Sequence, residues 1–580
     1  MYKIYLLFIF MYPLFITAQN NWYIHNGENN GDGSFSDPFN SWPSAMSVLE
    51  PGDTLKVMPG TYNLPTFILP VNSGTDSEWI TVKAYDSDNR PVIKSGGSNA
   101  IRTVDVGYYR WEGIDIDGDF LNGAYPLISL RAGTHHFTFY NCKWYDSHTD
   151  GLVMTETDYV VVDSCEIYYC INHAEEGERK DAHGIMFRSG NHLIVNNCNI
   201  HHNTGDCIQS GTSLAFPTWD SLYITNNHLW SGMVDSVVNT MPANTFWSEN
   251  GIDTKTPDSA DIAESDDPSW RAYIYIDKNV LHGFNADYDW PAIAINMSVD
   301  AIIKNTVVYE SAIGFRLMGA DIIAQTGTMS GAPLVTMWNC ITYDTYWCSM
   351  WIEDDLDSVD IWNCTFDNSI DTLWWPGIHE RAPSYFEART KIGDDFDMRN
   401  CIFVDTIPTE LIGLVDSTVY IANSSDFVDY ENHDYHLSSL SDAIDAGSNI
   451  PEVAFDFDGN PRIIDKYDIG AFEYSESTGI EESKMITDKF ILEQNYPNPC
   501  NRATRIKYSL PAGEAVSSIS VQLKVYNVLG QEVAILVDEI QPAGNYEVKF
   551  DGCNLTSGVY MYILKTNIGL TATKKLLLLK

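Results

Sequence analysis

The sequence predicts an all-β solenoid followed by a small, separate β-sandwich module. Three observations carry that reading. A short alternating strand ending in Asn-Cys or a close variant recurs along the chain. A second short apolar strand follows each of the early repeats. The composition then changes near residue 475. The recurring slot reads Asn141-Cys142, Ser164-Cys165, Asn197-Cys198, Asn339-Cys340, Asn363-Cys364 and Asn400-Cys401, and it continues without cysteine at Asn227, Asn279 and Asn305. Each follows a strand such as Phe137-Thr138-Phe139-Tyr140. Short strands recurring at about 20–30 residues, with loops of variable length at fixed places, are the pattern of stacked coils. The cysteines are then expected as small core fillers rather than disulfides. No Cys-x-x-Cys pair exists to hold a metal. The asparagines are expected to stack as a hydrogen-bonded ladder inside the turns.

The chain has 580 residues, suited to one elongated repeat domain and a small partner. Its 44% hydrophobic content is enough for a long core. There are 34 basic against 79 acidic residues, a formal net charge of −45. That argues against nucleic acid or an anionic membrane as partner. An acidic polysaccharide would be repelled too, except where cations reverse the local field. At the N-terminus Lys3 precedes an apolar run, Ile4 to Ile16, and then Thr17-Ala18-Gln19. This reads as a secretory signal peptide over residues 1–18, too short and too early for a membrane span. The mature protein is expected to lack a membrane span and to be a monomer.

The region 19–474 resembles a right-handed parallel β-helix of the pectate-lyase-like superfamily. The resemblance rests on an opening segment, Gly31-Asp32-Gly33-Ser34 with Asp37-Pro38-Phe39, then Pro51-Gly52-Asp53-Thr54-Leu55 and Pro59-Gly60-Thr61-Tyr62. It rests also on a closing segment, Asp456-Phe457-Asp458-Gly459 with Asp468-Ile469-Gly470-Ala471-Phe472-Glu473. The fold so implied hosts lyases, hydrolases, epimerases and adhesins, so it does not fix a reaction. Residues 475–489 are polar and acidic and read as a linker. Residues 490–580 resemble the C-terminal sorting domain of the type IX secretion system. The residues that carry this are Phe490-Ile491-Leu492-Glu493-Gln494-Asn495-Tyr496-Pro497-Asn498-Pro499, Val525-Tyr526-Asn527-Val528-Leu529-Gly530 and Leu555-Thr556-Ser557-Gly558-Val559-Tyr560. Where the usual pattern has Phe-Asn-Pro, this chain has Cys500-Asn501-Arg502. That resemblance implies secretion to the surface of a Bacteroidetes-like Gram-negative bacterium, with the type IX machinery as partner. The last hundred residues are nearly neutral, so the acidity belongs to the solenoid.

Chemistry is expected on the second strand of each coil. Aligned by pattern, these strands bring Leu152, Ile185, Ile208, Ile252, Ile293 and Phe315 into one inward column. The outward positions then hold Gln209, Asp253 and Arg316, with Arg188, Lys255 and Asn296 beside them, and the preceding turn holds Asp150, His183, Asp206 and Asn250. Polar residues also suit any solvated sheet face. Their concentration beside two insertions, Cys170 to Asp181 and Lys255 to Trp270, marks a candidate cleft.

The order of these strands resembles family 9 pectate lyases, in which an Asp-Gly strand, an Asp-rich strand and a Lys-bearing strand build the site. That resemblance implies β-elimination on a uronic-acid polysaccharide of pectate or alginate type. Ca²⁺ would then be held by Asp181 and Asp206. Lys255 or Arg316 would be the catalytic cation, and Arg188, His183, Gln209 and Asp253 would bind substrate. A lysine partly desolvated beside a bound cation would have a lowered pKa and could take the proton. The chain departs from the family pattern in three places. Only Asp206 of the Asp-rich strand remains, with Gly205 and Gln209 in the other slots; His183 stands in an Asp slot; and Asp253 occupies the base position, with Lys255 two residues beyond. Two other classes stay open. A polygalacturonase-like hydrolase would pair Asp206 with Asp253, a wide gap unless the side chains lean together. A non-catalytic carbohydrate-binding adhesin needs no reacting centre. Aromatic residues, 13% of the chain, suit sugar stacking in either case.

Overall fold

The computed structural model describes residues 19–474, apart from 28, 121–124, 175–177, 212–218, 233–247, 256–271, 285–290, 297–298, 319–333, 354–357, 368–385, 389–395, 464–465 and parts of 409–417, together with the strands of the C-terminal unit between 491 and 578. The predicted signal peptide and the 475–489 linker lie outside the described residues. The chain divides into two compact units, Met1–Ser475 and Glu476–Lys580.

The first unit is a parallel β-helix. Alternating apolar residues bury one face of each short strand, and strands of successive coils pair in register. The result is two 13-stranded sheets and one 10-stranded sheet, all parallel. The first sheet runs from Asn21–Ile24 to Phe396–Arg399, the second from Thr61–Asn63 to Tyr420–Ala422, and the third from Ile101–Thr103 to Phe386–Ala388. The inward column of the third sheet is the expected one: Leu152 pairs with Ile185, Ile185 with Ile208, Ile208 with Ile252, and Ile252 with Ile293. All five are fully buried.

The ends of a stacked sheet would expose unpaired backbone and must be covered. At the start, the helix Trp42–Val48, capped by Ser41, buries Trp42, Ala45 and Met46 over the first coils. Asp53 ties that cap together by accepting hydrogen bonds from the backbone of Asn20 and the indole of Trp22, each at 2.9 Å. At the other end the closing segment places Arg462, whose side chain is fully buried, against Glu473. Arg462 also donates to the carbonyls of Gly470 and Ala471 and to the Asn339 side chain.

The turn after each first-sheet strand corrects one sequence reading. Asn141, Ser164, Asn197, Asn305, Asn339, Asn363 and Asn400 all take the left-handed conformation, as a tight turn requires, but so do Asn226 and Lys278. Asn227 and Asn279 therefore lie one position later, in the buried cysteine slot. The Asn227 carboxamide oxygen accepts from the Cys198 backbone at 2.8 Å, and that of Asn279 accepts from the Asn227 backbone at 2.9 Å. Buried amides thus pair at both slots, Asn227 with Asn279 at the inner one and Asn363 with Asn400 at the turn position itself, and Asn339 bonds to Asn305, while Asn197 is exposed. The physical reason is volume: both slots sit in the same bend, and a thiol, amide or hydroxyl fits the inner one. Cys142, Cys165, Cys198, Cys340, Cys364 and Cys401 occupy it as buried free thiols, and among the described residues no cysteine is disulfide-bonded.

On the outer side of the second sheet one ring per coil is stacked: Tyr168 on His201, His201 on Trp230, Trp230 on His282, and His282 on Tyr309, at centroid distances of 5.1, 4.6, 5.7 and 4.6 Å. These rings cover one another's faces and show solvent only their edges, so this ladder is packing rather than a sugar platform.

The second unit consists of two antiparallel sheets, one of three strands and one of four, around a shared core that includes Ile506, Tyr508, Leu523, Val525, Tyr562 and Leu564. Two antiparallel sheets over one core make a small sandwich.

Candidate active site

The turn that leads into the third sheet builds a ladder of its own. Each step runs from a backbone N–H to a side chain one coil earlier. The His183 N–H donates to Asp150 Oδ1 at 2.9 Å, the Asp206 N–H to His183 Nδ1 at 2.9 Å, and the Asn250 N–H to Asp206 Oδ1 at 3.0 Å. Counting back from the register pair Ile252–Ile293, the next position in the stack is Pro291. Proline has no N–H to give, and among the described residues the buried Asn250 Oδ1 has no partner. Because His183 Nδ1 accepts, its imidazole is held with the proton on Nε2.

Asp206 is fully buried and its carboxylate is spent within this ladder. Oδ1 also accepts from the Asn250 amide at 2.7 Å, and Oδ2 accepts from the Gln209 amide at 2.7 Å. Asp181 is exposed, one turn away from that network. Among the described residues no three His, Cys, Asp or Glu side chains meet as metal ligands. The expected Ca²⁺ pair, Asp181 with Asp206, therefore does not fit the donor set, since hard divalent cations want several uncommitted oxygens.

The groups that do converge are one coil further on. Gln209 pairs with Asp253 across the sheet, and Asp253 is buried. Lys255 Nζ lies 3.3 Å from Asp253 Oδ2, while Asn296 donates to Asp253 Oδ1 at 3.0 Å. Among the described residues Asn296 Oδ1 and the buried Ser210 Oγ have no partner. Burial, then the charge of Asp206, holds the Asp253 carboxyl up to about 6 against the pull of Lys255. Burial by itself would lower the Lys255 ammonium, but Asp253 and Asp206 outweigh it, and its pKa lies above the ordinary lysine value. A lowered lysine pKa was the sequence expectation; the two carboxylates reverse it. Asp206 and Asp253 also sense each other, so the three-position offset between them is not too wide for interaction.

The remaining expected residues lie elsewhere on the same sheet. Arg316 continues the Gln209–Asp253 row two coils on, after Ala294, and its guanidinium lies 4.7 Å over the ring of buried Trp351. Trp351 was not foreseen as part of the site; its register partner Arg316 is the signal that aligning one more strand, Cys348–Glu353, would have given. Arg188 is exposed at the end of the strand Ile185–Phe187. The first of the two insertions contains a short antiparallel hairpin, Asn172–Ala174 with Glu178–Lys180, and the second lies outside the described residues beyond Lys255.

Comparison with known proteins agrees with the architecture. Residues 22–228 match the family described as Pel9A-like, right-handed β-helix region, and residues 494–579 match the secretion system C-terminal sorting domain. No curated protein matches the chain. Among solved structures, pectate lyase Pel9A is similar at 17% identity over 79% of this chain and 97% of its own, with a TM-score of 0.39. A rhamnogalacturonan lyase is similar at 11% identity over 77% and 95%, with a TM-score of 0.47. An alginate lyase from Paenibacillus sp. str. FPU-7 is similar at 15% identity over 60% and 95%, with a TM-score of 0.34. The chain thus has a right-handed parallel β-helix whose first part matches the Pel9A-like β-helix model, and a C-terminal segment that matches the secretion system C-terminal sorting domain.

Proposed function

We propose that the protein is exported by the type IX system and cleaves a uronic-acid polysaccharide by β-elimination on the outer face of the third sheet, around Asp253 and Lys255. The observation that carries this reading is the pair itself: a buried carboxyl whose pKa is moved to about 6, beside an ammonium 3.3 Å away that stays protonated. Elimination removes the proton at C5 of a uronate, forms the C4–C5 double bond and breaks the C4–O bond. Asp253, ionised above about pH 6, takes the C5 proton. Lys255 neutralises the uronate carboxylate, which makes that proton acidic, and can return a proton to the departing oxygen. Gln209 and Asn296 orient Asp253, and Arg316 meets the carboxylate of a neighbouring sugar. These roles exchange those expected for Asp253 and Lys255, because it is the carboxyl whose pKa is moved towards neutrality. No step is routed through Ca²⁺.

The test is the ultraviolet absorbance of the unsaturated uronide product on pectate, alginate and glycosaminoglycans. The parent protein should generate it, and Asp253→Asn and Lys255→Ala should not. Absence of cleavage on every uronan would leave the adhesin reading as the better one.

A second reading is favoured by one observation, the electrostatic coupling of Asp206 to Asp253. In a hydrolase Asp253 would be the general acid, working below about pH 6. Its product would be saturated, and its activity would fall with rising pH where that of a lyase rises.

A further inference from the structure

The third sheet carries a second outward column beside the row that contains Asp253. Backbone bonds fix its order. The Thr155 N–H donates to the Leu130 carbonyl, the Arg188 N–H to Met154, the Gly211 N–H to Phe187, and the Lys255 N–H to Ser210. Arg131, Thr155, Arg188, Gly211 and Lys255 therefore stand on five successive coils. A cation occurs at every second one, and the residues between them are small. With strands about 4.8 Å apart, the cations repeat at about 9–10 Å. Gly211 has no side chain to stand between the two cations, and a Cβ there would reach ordinary contact with the Cβ of Lys255 at 3.4 Å.

Several cations of this acidic chain are met by carboxylates, as Arg90 is by Asp115, Lys143 by Glu166 and, within the column, Lys255 by Asp253. Arg131 and Arg188 have no such partner among the described residues. Arg131 uses only its Nε, donating to Ser129 Oγ at 3.1 Å, which leaves the outer fork of its guanidinium available. Arg102, on the coil before, pairs in register with Ser129 and adds a third arginine to the same corner. The charges of Arg102 and Arg188 act on Arg131, whose pKa is lowered by burial and then by its like neighbours. A group of arginines left to repel one another, on a protein of net charge −45, calls for an anionic ligand.

We infer that Arg131, Arg188 and Lys255 form a binding track for an acidic polysaccharide lying along the helix axis, with carboxylates presented on one side at every second sugar. This rests on the proposed function for the identity of the ligand, though not for the existence of the track. An extended sugar chain advances roughly one rung per residue, so a twofold chain offers its same-side carboxylates at the spacing of the cations. Guanidinium forks suit carboxylates bidentately. The track runs from Lys255 towards the N-terminal coils, so the binding subsites extend in that direction from the reacting centre.

The test uses the full chain with oligouronides of increasing length. Arg131→Gln and Arg188→Gln should each weaken binding of long oligomers by about tenfold, seen as a rise in KM with kcat unchanged. The shortest cleavable oligomer, which does not reach Arg131, should be indifferent to Arg131→Gln. Methyl-esterified oligomers, which lack the charge, should bind parent and variants alike. Direct binding by calorimetry in the Asp253→Asn background separates the two ideas. Binding that falls with the arginine variants supports the track, and if the parent protein with Asp253 intact cleaves no uronan, the track stands and the elimination reading falls. Cleavage with an unchanged KM for long oligomers in Arg131→Gln and Arg188→Gln overturns the track and leaves elimination standing. Tight binding of a neutral oligosaccharide of the same length, or no binding of any uronide, also overturns it.

Discussion

The imidazole of His183 fills the space that a side chain at position 205 would need: a Cβ on Gly205 would lie 2.5 Å from His183 Nδ1. His183 in place of an aspartate and Gly205 in place of another are therefore one structural choice rather than two independent losses. Gly205→Asp should destabilise the protein by about 1–3 kcal/mol, the usual range for overpacking. Adding His183→Ala should recover part of that loss. Thermal melts of the two single variants and the double variant form the cycle that checks it, and strict additivity would separate the two positions.

The pH profile of cleavage distinguishes the roles of Asp253. If it is the base, kcat/KM should rise with pH through about 6 and level off above it, because only the ionised carboxylate accepts a proton. Lys255→Ala removes the partner that pulls the carboxyl down, so any residual activity should show its pH midpoint displaced upward. Asp253→Asn should reduce turnover by about 10²-fold or more. A fall in activity above pH 6 in the parent would assign the hydrolase mechanism instead.

Buried polar stacking should matter only where it is buried. Asn279→Ala removes the acceptor of the buried Asn227 N–H and of its side-chain amide and should cost about 1–3 kcal/mol. Asn197→Ala removes an exposed side chain and should cost well under that, through its left-handed turn alone. Ile208→Ala and Ile252→Ala, which cut the fully buried inward column, should cost about 2–5 kcal/mol each. Denaturant titrations of the four variants check the ranking.

The ring ladder makes stability sensitive to acid. Burial presses His201, His202 and His282 down to about 4, with neighbouring histidines adding to the effect at His201 and His282. In the unfolded chain these groups take up protons near 6.5. Between those values the unfolded state binds more protons, so their contribution to stability is present above about pH 6.5 and is lost as pH falls towards 4. Asp146 and Asp253, both held up to about 6, act in the opposite sense. The clean measurement is therefore a difference: His282→Phe should flatten the pH dependence of the urea midpoint between pH 7 and 4.5 relative to the parent.

Export should leave its mark on the chain. Mass spectrometry of the surface form should find residues 1–18 and the C-terminal module absent, with the second cut between 475 and 489. An intact C-terminus on the secreted protein would contradict the sorting role.

The sequence by itself determined the architecture, because a solenoid is a one-dimensional repeat. Alternation fixed which face of each strand is buried, and a constant slot fixed the coils. The inward column from Leu152 to Phe315 and the candidate row Gln209–Asp253–Arg316 could thus be read from pattern. What pattern could not decide was which partner each polar atom takes. Asp206 looked like a metal ligand in sequence; the turn stacks it under Asn250 and beside Gln209, and those donors consume both its oxygens. Asn227 and Asn279 looked like turn residues; a shift of one position put them inside. Lys255 looked like a base until two carboxylates, Asp253 on its own coil and Asp206 one coil away, raised its pKa. Each of these depends in part on a group tens of residues away in sequence but one rung away in space, as Asn250 is from Asp206 and Asn279 from Asn227, where burial and charge act over a few ångströms. Periodicity determines the rung, and only the stacked structure determines the neighbour.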